Sequence, residues 1–261
     1  MTLPEMKSKV MEEAQVRTQK RLAEGVYRLE LSAPEHARHA LPGQFVQVQV
    51  KSPSVFLRRP LGLAEADTES GSVALIYREV GKGTAALAAL RPGEQVNLLG
   101  PLGQGFCMDV QHPLLVGGGM GLSPLLCYAR HLRRHGAQPE VLMGGRSAAE
   151  LFWQDLFAPY AAAIHLTTDD GSLGRQGFVT ALLPELLARG GYDSVAACGP
   201  EIMMRGVAAI AREQGLPCEV SLERRMGCGL GACLSCAIDT ASGRRKVCKD
   251  GPVFPAEEVF Y

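Results

Sequence analysis

The chain has 261 residues, 46% of them hydrophobic and 21% charged, enough to bury one sizeable core or two modest ones with a small appendage. Twenty-seven basic side chains balance twenty-seven acidic ones, so no net field draws the protein to nucleic acid or to an anionic membrane surface. No apolar run is long enough to span a bilayer, and small molecules or other proteins are the expected partners.

The first twenty-odd residues mix Lys7, Lys9, Glu12, Glu13, Arg17, Lys20 and Arg21 with few apolar positions. They offer no hydrophobic region of a secretory leader, and the expected location is the cytoplasm. In a reducing compartment eight cysteines are not a disulfide framework, so metal or redox use becomes the leading explanation for them.

From about Val10 to Gly100 the chain carries strand-like runs at Tyr27 to Leu31, Gln44 to Val50 and Ser72 to Tyr77, punctuated by Pro42-Gly43 and Pro92-Gly93 turns. An antiparallel barrel or sandwich fits this rhythm. Leu57-Arg58-Arg59-Pro60-Leu61-Gly62 closes one strand-like run, and Ile76-Tyr77-Arg78 with Gly81-Lys82-Gly83-Thr84 closes another. An arginine fork suits a pyrophosphate and Thr84 can cap a helix facing the same anion; by spacing alone, two arginines are usually just solvated charges.

At Pro113 the pattern changes. Leu114-Leu115-Val116 runs into Gly117-Gly118-Gly119-Met120-Gly121, and a helix is expected from Pro124 to Arg134. Apolar runs near Glu140, Ile164 and Ser194 alternate with helical patterns, which describes a βαβ series with a parallel sheet. Glycines at a strand-to-helix turn let a pyrophosphate lie against the backbone, although Pro124 stands where the last glycine of G-x-G-x-x-G would be, and many such turns hold glycine for packing alone. Cys198-Gly199-Pro200 forms a second turn of this kind, in which Cys198 is read either as ligand-facing or as a small buried residue. Asp169 and Asp170 end the third strand. A carboxylate there favours NAD over NADP by accepting from a ribose hydroxyl, the bland alternative being a solvated Asp-Gly turn, and Arg146 argues weakly the other way.

From about Leu222 the chain is rich in glycine and cysteine over a length too short for a core of its own, so a metal centre is expected to hold it. Cys228, Cys233, Cys236 and Cys248 give Cys-x4-Cys-x2-Cys followed by a lone cysteine, the plant-type [2Fe-2S] spacing. Gly227, Gly229 and Gly231 let backbone amides approach the sulfurs. The alternative is structural zinc, which usually presents two Cys-x2-Cys knuckles where this chain has one.

With these residues in hand, the chain resembles the ferredoxin reductase-like family, and within it the electron-transfer subunits of class 1B dihydroorotate dehydrogenases. The most specific match is Glu223-Arg224-Arg225-Met226-Gly227-Cys228 through Cys236, together with Lys246-Val247-Cys248-Lys249-Asp250-Gly251-Pro252-Val253-Phe254. The resemblance implies a β-barrel FAD-binding domain over 1–104, an NAD-binding α/β domain over 105–220 and a [2Fe-2S] domain over 221–261. It assigns Arg59, Pro60, Leu61, Ile76, Tyr77 and Arg78 to FAD, and Gly83 and Thr84 to the FAD phosphates; Gly62 stands where the family usually has serine. It further implies a separate FMN-containing catalytic subunit that oxidises dihydroorotate, two copies of each subunit, and electrons passing through [2Fe-2S] and FAD to NAD⁺. No side-chain general acid or base is expected. The rival expectation is a nicotinamide-dependent reductase serving an oxygenase or a sulfur-reducing partner, and a third is a zinc-stabilised module without activity.

Overall fold

The computed structural model describes residues 9–52 and 54–261. Of the charged residues that speak against a leader, Lys7 lies outside the described residues, while the stretch from Val10 onward is a strand. The first unit consists of β1 (Val10–Ala23), β2 (Val26–Ser32), α1 (Pro34–His39), β3 (Phe45–Val48), β4 (Arg59–Asp67), β5 (Ser72–Arg78), α2 (Lys82–Ala88) and β6 (Gln95–Leu102). Its strands close into an antiparallel barrel in the order β1-β2-β5-β4-β3-β6. The interior is filled by alternate residues such as Leu29 and Leu31 of β2, Val46 and Val48 of β3, Leu63, Leu75 and Leu98. Gly43 and Gly93 take φ of +94° and +91° at the two Pro-Gly turns, a backbone region that glycine enters without steric cost.

Two details depart from the sequence reading. The Arg59–Gly62 segment opens β4 rather than closing a strand, because the extended run continues into Leu63 and Ala64 on the barrel wall. The charged stretch at the start of the chain is the fourteen-residue β1, whose buried positions are only Ala14 and Val16, too few to show as an alternating pattern. Glu12 of β1 earns its place elsewhere: its carboxylate accepts from the amides of Glu35 and His36 and from His36 Nδ1 at 2.7 Å, so it caps α1, whose own N-cap residue, Ala33, has no side chain to do so.

The second unit runs β7 (Pro113–Gly118), α3 (Leu122–Arg134), β8 (Glu140–Gly145), α4 (Trp153–Phe157), β9 (Ala163–Thr168), β10 (Arg175–Gln176), α5 (Val179–Ala188), β11 (Ser194–Cys198), α6 (Glu201–Glu213) and β12 (Cys218–Ser221). Pairing from β10 through β12 is parallel, in the order β10-β9-β8-β7-β11-β12. The central strand β7 is buried along its whole length, as a strand covered by helices on both faces must be.

The remaining segment holds a small hairpin of β13 (Ala237–Thr240) and β14 (Gly243–Lys246), then α7 (Val247–Asp250), β15 (Val253–Pro255) and α8 (Ala256–Val259). β15 pairs antiparallel with β12 and becomes the seventh strand of the second unit's sheet. Val247, Cys236, Cys248, Phe254 and Phe260 share one core with Leu114, Val220 and Leu222, so a metal centre is not the sole thing holding this segment in place.

Barrel and sheet are joined along α3. Arg130 reaches Asp67 at 2.6 Å and also pairs with Glu65; Arg28 pairs with Glu65 at 3.0 Å and Arg134 with Asp67 at 3.3 Å. Burial alone would raise the Asp67 carboxyl, but the amides of Ser70 and Glu69 and the two arginines hold it below its usual range. Replacing Arg130 with Met leaves each carboxylate one remaining arginine, so the loss is expected at about 1–2 kcal/mol rather than the 3–5 of a buried ion stripped of every partner. Thermal unfolding at neutral pH checks it, with a fall in midpoint of a few degrees expected. Because the folded-state value of Asp67 is lowered, its contribution is present above the ordinary carboxylate range and lost as pH falls through the lowered value, so the difference between Arg130→Met and the parent protein should shrink in acid.

Candidate active site

A cleft of about 820 Å³ opens where the barrel, the glycine turns of the sheet and the start of the cysteine segment meet. From the barrel come Arg59, Pro60, Leu61 and Gly62 of β4, Ile76, Tyr77 and Arg78 of β5, and Thr84 of α2. The sheet side contributes Met120, Ser123 and Pro124 at the start of α3 and Cys198 at the end of β11. Ser221 to Met226 and Pro252 close the third side.

The two arginines do not act as a fork. Arg58 turns its guanidinium onto the barrel, donating to the carbonyls of Gln47 at 3.1 Å and Asn97 at 3.2 Å and to the Asn97 side chain. Arg59 is the one left with free capacity: its Nη2 holds the Leu57 carbonyl at 2.7 Å, but its buried Nε has no partner. Gly83 lets it lie close, since a Cβ there would stand 2.9 Å from Arg59 Cδ and push the side chain aside. Thr84 does not cap α2 as its first residue. It sits one turn in, and its hydroxyl accepts from the amides of Val80 at 2.9 Å and Gly81 at 3.2 Å, fixing the turn that carries Gly83 past Arg59.

Ser123, which the sequence reading passed over, is 4% exposed and its hydroxyl has no partner. It lines the same cleft and precedes Pro124, which lies against Gly62; a Cβ on Gly62 would meet Pro124 at 3.9 Å, an ordinary contact. Buried polar atoms left open on one cleft, the Arg59 guanidinium and the Ser123 hydroxyl, are what an anionic, hydrogen-bonding cofactor such as FAD would complete.

The two glycine turns press on each other. A Cβ on Gly121 would fall 2.3 Å from the Cys198 carbonyl oxygen, and one on Gly199 would fall 3.1 Å from the backbone of Gly118. Gly117 is likewise closed by Leu122 at 2.5 Å, and Gly118 by Met203 at 3.0 Å with Pro200 next. Only Gly119, at φ +56°, faces open space, so packing explains most of these glycines and close approach of a ligand explains at most Gly119. Burial pushes the Cys198 thiol well up, leaving it a neutral group at the cleft wall. Glu223 stands at the mouth, reachable by solvent yet enclosed by protein, and that enclosure lifts its carboxyl above the usual range. Asp169 lies outside the cleft at the exposed end of β9, two strands from β7, with its amide on the Gly145 carbonyl at 3.1 Å. Arg146 is held by Glu150, Nε to carboxylate at 2.8 Å.

The cysteines stand in two pairs. The amide of Cys228 donates to Cys233 Sγ at 3.4 Å, those of Leu230 and Cys233 to Cys228 Sγ at 3.3 and 3.5 Å, and that of Cys248 to Cys236 Sγ at 3.5 Å. Gly229 and Gly231 take φ of +71° and +84°, and Leu234 takes +63°, so the loop is wound to turn its amides inward. The Ser235 hydroxyl and amide, with Cys228, hold the Cys233 thiol down to about 6, whereas burial and then Cys236 push Cys248 up to about 12. Among the described residues no three of His, Cys, Asp and Glu converge as a single ion would ask. Paired sulfurs ringed by amides suit a two-iron centre, with each pair serving one metal.

A closed barrel beside a parallel sheet, a cleft between them with open hydrogen-bonding groups, and an adjoining cysteine loop define a flavin oxidoreductase of the ferredoxin-reductase type with an iron–sulfur segment. Residues 13–106 match the oxidoreductase FAD-binding domain, and 223–260 match the iron–sulfur cluster binding domain of dihydroorotate dehydrogenase B. The dihydroorotate dehydrogenase B (NAD⁺) electron transfer subunit of Bacillus caldolyticus is 41% identical over 252 residues, covering 94% of this chain and 96% of its own. That of Clostridium perfringens is 37% identical, covering 91% and 93%. A chain in the structure of an NADH-dependent reduced ferredoxin-NADP oxidoreductase superposes with a TM-score of 0.85 at 32% identity, covering 95% of this chain and 90% of that one. The chain belongs to the family of dihydroorotate dehydrogenase B electron transfer subunits.

Replacing Cys233 with Ser is expected to remove or alter the iron–sulfur absorbance while most FAD stays bound, because the FAD-binding domain match covers the barrel and not the loop. Iron content and visible spectra of the purified variant provide the check; an unchanged cluster spectrum would show that Cys233 is not a ligand.

Proposed function

We propose that the chain carries electrons between a separate FMN-containing catalytic subunit, which converts dihydroorotate to orotate in pyrimidine biosynthesis, and NAD⁺. The observation that carries this reading is the shared cleft: the flavin-motif residues Arg59 to Gly62 and Ile76 to Arg78 line it together with Glu223 to Met226, the residues that lead directly into the cysteine loop. When bound, FAD exchanges a hydride with the nicotinamide and single electrons with the [2Fe-2S] centre, which makes it the converter between the two. The chain's own residues supply placement. Arg59, the turn fixed by Thr84 and the Gly83 beside it would hold the pyrophosphate; Pro60, Leu61, Gly62, Ile76, Tyr77 and Arg78 would form the isoalloxazine wall. Burial pushes the Tyr77 phenol up to about 12, so at neutral pH it stays an uncharged wall residue, accepting from Gln19 at 2.8 Å.

Gly117, Gly118, Gly119, Gly121, Cys198, Gly199 and Pro200 form the edge at which the nicotinamide dinucleotide would lie, with Asp169 farther along the strand ends toward the adenosine side. Cys228, Cys233, Cys236 and Cys248 would ligate the irons. The functional units follow as a FAD domain at 1–104, an NAD domain at 105–220 and a cluster domain at 221–261, the last sharing its β15 with the sheet of the second. A heterotetramer of two copies of each subunit, located in the cytoplasm, completes the reading. None of the eight cysteines is in a disulfide, and among the described residues no helix is long and apolar enough to cross a membrane.

The Arg146 guanidinium, the cation that would favour a 2′-phosphate near Asp169, is engaged by Glu150. NADH is therefore expected to exceed NADPH in kcat/KM for flavin reduction by about tenfold or more, about 1.4 kcal/mol of discrimination; equal efficiency in steady-state assays would overturn the preference. The purified chain alone is expected to reduce artificial acceptors with NADH but to show no dihydroorotate-dependent NAD⁺ reduction, which should appear when the FMN-containing subunit is added. Turnover by the chain alone would overturn this reading, and none with any FMN-bearing partner would overturn it in favour of a reductase serving another acceptor.

A further inference from the structure

β3 is buried along its whole length, on both faces. Val46 and Val48 point into the barrel, while Phe45 and Gln47 point outward beneath the C-terminal segment. Gln47 is paired with Pro60 of β4 on one side and Leu99 of β6 on the other. Pro60 lines the flavin cleft, and Leu99 packs against the core that contains Cys236 and Cys248. The glutamine therefore lies between the two cofactor regions.

Its side chain is fully buried, and neither Oε1 nor Nε2 has a hydrogen-bond partner. A buried carboxamide with both ends open is rare enough to require an explanation. The group is turned toward the cysteine loop: a Cβ on Gly229, the residue after Cys228, would stand 2.7 Å from Gln47 Cγ and Nε2. Glycine at 229 is thus set by the glutamine as well as by its φ of +71°. The backbone beneath is held still, since Arg58 donates to the Gln47 carbonyl and to Asn97 on β6. Main-chain amides of the loop already donate to the Cys228 and Cys233 sulfurs; Gln47 brings a side-chain donor from the barrel side, the side on which the flavin cleft lies.

We propose that the Gln47 carboxamide donates a hydrogen bond to a sulfur of the iron–sulfur centre at its Cys228–Cys233 edge and thereby raises that centre's reduction potential. The inference rests on the iron–sulfur assignment above. Reduction adds one electron and no proton to the centre, and a donor aimed at sulfur stabilises the added charge.

The test uses the full chain loaded with FAD and cluster. Gln47→Met and Gln47→Leu remove the donor at nearly constant bulk. In redox titrations followed by electron paramagnetic resonance, the cluster midpoint should fall by about 59 mV, a tenfold change in its reduced-to-oxidised ratio, with the FAD midpoint unmoved. An unshifted cluster midpoint, or a shift confined to FAD, overturns the proposal. A second measurement needs no variant. Reduced parent protein grown with side-chain ¹⁵N-glutamine should show a ¹⁵N coupling in pulsed resonance. Gln44 and Gln104, the other glutamines near this segment, have their Nε2 groups on the carbonyls of Gly103 and Lys249. No coupling overturns the proposal even where the variants fail to load. A parent protein with no iron–sulfur signal at all would instead refute the underlying assignment.

Discussion

The architecture depends on the seating of α3 against β4. One end of that helix begins at the cleft with Ser123 and Pro124, the latter resting on Gly62; two turns on, Arg130 binds Glu65 and Asp67 of the same strand. A helix anchored at both ends on one strand cannot slide or pivot without breaking an ion pair or opening the cleft. The half-buried setting of the charges makes the anchor directional as well as adhesive. Arg28 and Arg134 supply the remaining positive partners, so the carboxylates stay compensated and the cost of withdrawing them from water is met. The relative placement of the barrel and the sheet edge, the two sides of the cleft, is in this way set by salt bridges on α3 and β4.

The parts of the molecule legible in the sequence were those whose chemistry is local. Four cysteines at a particular spacing, glycines between them and Pro-Gly turns each impose their geometry within a few residues; in the structure the turns fall at Gly43 and Gly93 and the cysteines stand as two pairs. What stayed hidden depends on residues far apart in the chain. β1 is a strand because β2 and β6 flank it, not because its own sequence alternates. Arg58 and Arg59 are adjacent and chemically identical, yet one braces the barrel and the other faces the cleft; only the position of Asn97, 39 residues away, separates their roles. Ser123 and Gln47 are ordinary residues in sequence and become conspicuous only when burial leaves their polar atoms without partners. The glycine turns illustrate the opposite error, in which a motif invites a ligand-binding reading while the strongest demand on Gly121 comes from the carbonyl of Cys198.

Polarity is distributed around the cleft in a way that suits electron transfer better than acid–base chemistry. Three acidic groups at its wall are shifted toward their neutral forms: Tyr77 and Cys198 by burial, Glu223 by enclosure at the mouth. The fixed charge of the wall is that of its arginines, Arg58, Arg59, Arg78, Arg224 and Arg225, which suits an anionic cofactor.

The three residues of β15 have a further consequence for the apoprotein. They cover the outer edge of β12, and the new edge they create is short and ends in Pro255, which offers no amide to an approaching strand. The segment that carries the cysteines is therefore also the hem of the sheet. A molecule in which that segment came loose would present the bare amides and carbonyls of β12 as a template for strands of other copies, so loss of the metal-binding tail would carry a tendency to aggregate along with the loss of electron transfer.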